Sequence, residues 1–163
     1  MRKFLEDIHV DPYYGTDNDE NYWDMREKWV SEQLKYGFDS RDAWSVSDTM
    51  VALLYERLKM FEIVADNSAG INLDEDLISP VDDIHLSYRG WMNIFYSLSE
   101  YLLQYEFNQK SLEELMDSKF TVLCETIALK PVQGWGNEEY IDPEDVRDRL
   151  WYFWYKIGKY FWH

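Results

Sequence analysis

Apolar side chains recur along this chain at three- and four-residue intervals, in blocks divided by polar connections, which is the pattern of amphipathic helices rather than strands. The first block, Trp23 to Tyr36, sets Trp23, Met25, Trp29, Val30 and Leu34 as anchors, with Gly37 in the position that caps a helix C-terminus. A second helix is predicted from Ser45 to about Ala65, opened by Ser45-Val46-Ser47-Asp48 with the spacing of a capping box. Projected at about 100° per residue, Val46, Met50, Leu53, Leu54, Leu58, Phe61 and Val64 share one of its faces, and Arg57 lies among them. An acid-rich stretch with Gly70 and Pro80 reads as a solvated connection, from which Ile71, Leu73, Leu77 and Ile78 can tuck one edge onto the core.

The third helix is predicted over Trp91 to Phe107, with Trp91, Ile94, Phe95, Leu98, Tyr101, Leu102 and Tyr105 making one broad face. Ser111 caps a fourth, Glu114 completes S-x-x-E, and Leu112, Leu115, Met116, Leu123 and Ile127 continue the spacing until Pro131 ends it. Asp142 and Pro143 start the last helix as N-cap and first helical residue. Leu150, Trp151, Phe153, Trp154, Tyr155, Ile157, Phe161 and Trp162 wrap more than half of it, opposite a narrow stripe of Arg149, Lys156 and Lys159. Such a helix belongs at the centre of a bundle, or lends its surplus face to a partner.

These elements predict an all-α fold: a compact single-domain bundle of four to five helices with an aromatic-rich core, residues 1–163, with an acidic and partly irregular segment over 1–22. Composition agrees, since 163 residues suit one domain and an aromatic share of 18% is far above that of a disordered chain. A lone cysteine, Cys124, fits a reducing cytosol, and neither a signal peptide nor a membrane-spanning run is expected. The net charge of −16 argues against direct nucleic-acid binding and against anionic membranes. It suits a protein partner with a basic surface, and self-association is left open.

Arg57 is the chemical anomaly, because a guanidinium on an apolar face needs a partner or a purpose. One expectation is a core ion pair with Glu106 at the edge of the third helix. The other is a pocket in which Arg57 meets an anionic ligand between walls from Trp91 or Trp151. No catalytic, metal or cofactor site is expected. Asp17-Asn18-Asp19 opens like a calcium loop, but Tyr22 and Lys28 stand where Gly and Glu are required. No Glu-x-x-His pair serves a di-iron bundle, and Asp82-Asp83-Ile84-His85 sits in a predicted loop. Nucleophile elbows, P-loops and dinucleotide fingerprints are absent from the sequence.

Gly37, Phe38, Arg41, Asp42 and Trp44, followed by Arg57, Leu58 and Phe61, match a G-[FY]-x-x-R-[DE]-x-W segment leading into an R-L-x-x-[FL] helix end. With the Trp91-led helix and the aromatic Tyr155–Trp162 ending, this resembles a small protein family found in the genomes of tailed bacteriophages. The chain departs from it at Tyr55-Glu56, where a proline commonly precedes the arginine, and at Trp162-His163, where Trp-Asp is usual. The resemblance implies a setting, the cytoplasm of an infected bacterium, and no activity. The expectation is a non-enzymatic accessory protein that binds a host or defence-system protein, inhibiting a defence. Trp135, Tyr140, Arg41, Trp44 and Trp154 are its candidate contacts. The alternatives are a sponge for a nucleotide signal, with Arg57 or Arg41 among aromatics, and an acidic nucleic-acid mimic.

Overall fold

The computed structural model describes residues 22–36, 46–67, 72–75, 81–106, 110–134 and 139–161. Helices α1 (Tyr22–Tyr36), α2 (Val46–Asp66), α3 (Tyr88–Glu106), α4 (Leu112–Leu115), α5 (Ser118–Thr126) and α6 (Pro143–Ile157) follow in order, and α6 runs into a 3₁₀ turn over Gly158–Phe161. The one sheet among the described residues is an antiparallel ladder pairing Val132 with Tyr140 and Gln133 with Glu139. The architecture is therefore all-α, with the predicted helices in the predicted order.

The central element is α3, not the last helix. Trp91, Met92, Ile94, Phe95, Leu98, Tyr101, Leu102 and Leu103 are all buried, so α3 is covered round most of its circumference. On one flank α2 packs Val51, Leu54, Tyr55 and Leu58 against it, and on another α6 packs Val146, Leu150, Phe153 and Ile157. Charge decides which helix goes inside. The last helix, α6, carries Glu144, Asp145, Arg147, Asp148, Arg149 and Lys156, which need water or partners, whereas α3 carries only Arg89, Glu100 and Glu106. Tyr152 and Tyr155 stand exposed on the outer side of α6.

Aromatic rings lock the three helices together. Trp91 meets Phe153 edge-on at 5.2 Å, and Phe95 meets Trp154 at 5.4 Å. Phe161 folds back to within 5.3 Å of Phe61 and 5.6 Å of Tyr88, so the 3₁₀ turn seals the end where α2 finishes and α3 begins. At the other end Tyr101 stacks on Phe120 with centroids 4.4 Å apart, and its hydroxyl donates to the Ile141 carbonyl.

The local signals work where the chain is described. The Ser111 and Glu114 N–H groups exchange bonds with each other's side chains at 2.8 and 3.3 Å, a formed capping box. Asp142 accepts from Glu144 N–H at 2.9 Å ahead of Pro143. The single helix predicted from Ser111 to Ile127 is corrected to two, because Asp117 caps a fresh start by accepting from Phe120 N–H at 2.8 Å. Leu73 does tuck into the core from its connection. Gly37, Ser45, Ile71, Leu77 and Ile78 lie outside the described residues.

Candidate functional site

The apolar stripe read for α2 straddles two faces. The side in contact with α3 is rotated by about one residue's 100° from the predicted one, and carries Val51, Leu54, Tyr55, Leu58 and Ala65. Left outside are Met50, Met60, Ile63 and Val64, each 48–57% exposed, with half-buried Leu53 and exposed Arg57 between them. At 100° per residue Met50, Leu53, Arg57, Met60 and Val64 fall within about 80° of one another. They form a straight ridge about 21 Å long at 1.5 Å per residue. Exposed aliphatic side chains on one ordered helix face form the kind of patch that interaction surfaces use.

Arg57 is thus a surface residue in the middle of this ridge, and both expectations built on its burial are corrected. It makes no ion pair with Glu106 or with any other described residue. The aromatic walls expected around it are absent among the described residues, because Trp91 is fully buried against Phe153 and Trp151 packs against the core. The physical reason lies in the choice α2 faced: one side offered Arg57 and the other Tyr55. Tyr55 can be buried cheaply, its hydroxyl donating to Glu100 at 2.9 Å and its ring meeting Tyr96 edge-on at 5.1 Å.

The buried ion pair is instead Asp48 with Arg147, joining the start of α2 to α6 at 3.0 Å. Arg147 also holds Glu144 at 3.0 Å, and Glu106 stands close by. Partial burial, with the Asp48 carboxylate near, raises the Glu106 pKa above its ordinary value despite the opposing pull of Arg147. Two signals marked this joint in the sequence: Asp48 in the first turn of α2, and Arg147 one and two turns before Trp151 and Trp154. A second joint binds the other end of α2, where Arg89 reaches Glu62, Asp66 and Asp74 at 3.0–3.3 Å. Glu62 also accepts from Tyr96, whose hydroxyl is pushed far above its usual pKa by burial first and by Glu62 second.

A hollow of about 550 Å³ lies between α6 and the two turns before α3 and after α5, lined by Asp82, Lys130, Asp145, Asp148, Arg149 and Tyr152. Its rim is strained. Asp82 and Asp83 sit at φ 52° and 63° in a two-residue turn closed by Val81 and Ile84, and Ala128 sits at φ 57°. Arg149 and Tyr152 fasten Asp82 at 3.1 and 2.8 Å, and that bond raises the Tyr152 pKa. Among the described residues, no tryptophan lines this hollow or the smaller one beside Gln104 and Lys119.

Of the candidate contacts, Trp154 is half-buried and structural: it packs on Phe95 and Phe161, and a Cβ on Gly158 would approach its ring to 2.8 Å. Tyr140 is half-buried in the short ladder. Arg41, Trp44 and Trp135 lie outside the described residues. Burial pushes the Cys124 thiol up to about 11, which leaves it an inert core group. No set of three or more His, Cys, Asp or Glu among the described residues is placed to hold a metal ion, and none of their helices is long and apolar enough to cross a membrane. No protein-family model, curated protein or solved structure matches the chain.

Proposed function

We propose that this chain is a non-enzymatic protein-binding module that docks through the outer face of α2. The observation behind it is the ridge carrying Met50, Met60 and Val64, with Ile63 exposed beside it, on a helix whose other side buries Val51, Leu54, Tyr55 and Leu58. Methionines are adaptable contact residues, and burying such a ridge against a partner releases the water over it. The resemblance to the tailed-phage family supports an accessory role in the cytoplasm of an infected bacterium. A host or defence-system protein is then the target, and the net charge of −16 favours one with a basic surface outside the docking ridge.

Affinity capture from infected host lysate tests this, with the wild-type chain compared against the double variant Met60→Glu/Val64→Glu. Both positions are exposed, so the variant should keep its melting temperature while losing the co-purifying protein. Retention of the same partner by the folded variant rules out this face. Recovery of a bound nucleotide in place of a protein would support the sponge reading.

A further inference from the structure

The exposed ridge has a stricter order than a generic apolar patch. Met50, Leu53, Arg57, Met60 and Val64 are separated by three, four, three and four residues, which is the a/d spacing of a coiled-coil seam. In such seams a single polar residue at a central a position sets register and partner choice at a cost in stability. Arg57 occupies that place. It is the only charged residue of the seam, and it is unpaired among the described residues.

We infer that the outer face of α2 receives one amphipathic helix of a partner protein, whose seam carries a carboxylate opposite Arg57 and aliphatic residues on either side of it. This rests on the docking role proposed for the same face. Closure of the seam desolvates the guanidinium, which only an opposing acid compensates with charge-assisted, bidentate hydrogen bonds. A second copy of this chain is a poor occupant, since its seam contains no acid in either orientation and a parallel pair sets Arg57 against itself. Two chains of −16 also repel each other. The ridge spans about four helical turns, or roughly 21 Å, enough for one partner helix and its knobs-into-holes contacts.

Two synthetic peptides about three heptads long test this, with Leu at every seam position except the central a position, which is Glu in one and Lys in the other. Binding is followed by fluorescence anisotropy at near-physiological salt. Non-specific attraction to so acidic a chain favours the Lys peptide, so a preference for Glu runs against the background. The wild-type chain is expected to bind the Glu peptide at least about tenfold more tightly. Arg57→Glu, at an exposed position and checked by circular dichroism to be folded, is expected to invert the preference. Equal affinities, a preference that survives Arg57→Glu, or no binding of either peptide overturns the inference. So does a dimer in sedimentation equilibrium that Met60→Glu abolishes, because the seam is then filled by a second copy. If capture is lost with Met60→Glu/Val64→Glu while the peptides show no charge preference, the docking face stands and the acidic occupant falls. If capture is untouched by that variant, the docking role itself falls.

Discussion

Single residues carry three stability expectations. Arg147 is the only described cation beside the buried Asp48, with Glu106 near, so Arg147→Met strands two carboxylates in a partly dry joint. A loss of about 3 kcal/mol in chemical denaturation is expected, the low end for breaking a buried pair. Glu106 works in the opposite sense. Its folded-state pKa lies above the unfolded one, so the folded chain holds the extra proton, and the penalty for ionised Glu106 sets in as pH rises through the folded value. Glu106→Gln should therefore raise the melting temperature at about pH 7 and confer no gain at about pH 4, below the unfolded glutamate value. Ala128 occupies the left-handed C′ position after α5, where Leu129 N–H reaches Cys124 and Ala128 N–H reaches Glu125 as in a Schellman motif. Ala128→Gly relieves that strain against a smaller loss of chain entropy. A gain of about 0.5–1 kcal/mol in the same denaturation assay is expected.

At the scale of elements, the two faces of α2 should answer differently to truncation. Leu58→Ala opens a cavity against α3 and should cost about 2–5 kcal/mol, whereas Met60→Ala should stay within about 0.5 kcal/mol. Thermal or urea melts of the two variants check this, and similar losses would mean that the helix faces have been misassigned. Helix positions and caps were legible from periodicity and from Ser111, Glu114, Asp142 and Pro143, because those signals are local. The rotation of α2 was not. Apolar residues cover most of its circumference, so spacing alone leaves the inner side undetermined until the cost of burying Arg57 is weighed against that of Tyr55. The same ambiguity misplaced α6, whose aromatics suggested the centre while its six charges required the surface. The restart at Asp117 was hidden because apolar spacing continues through Leu115, Met116 and Leu123 across it.

At the scale of the whole molecule, net charge works against indiscriminate use of the exposed ridge. A surplus of sixteen acids keeps copies apart, and beyond a Debye length of about 8 Å at physiological salt it fades, so it steers encounters rather than fixing the docked pose. The candidate site is half legible: the spacing of Met50, Arg57 and Val64 puts them on one face but reads as a core stripe, because a sequence does not distinguish a face turned to its own core from one kept for another chain. Native methionines supply the most direct measurement of which it is. Met50 and Met60 stand on the ridge, and Met92 is fully buried in α3. Under mild peroxide followed by mass spectrometry, Met50 and Met60 of the free chain should oxidise at least about tenfold faster than Met92. They should become protected when the captured partner is bound. Protection of Met50 and Met60 already in the free chain, or no protection in the complex, would contradict the account.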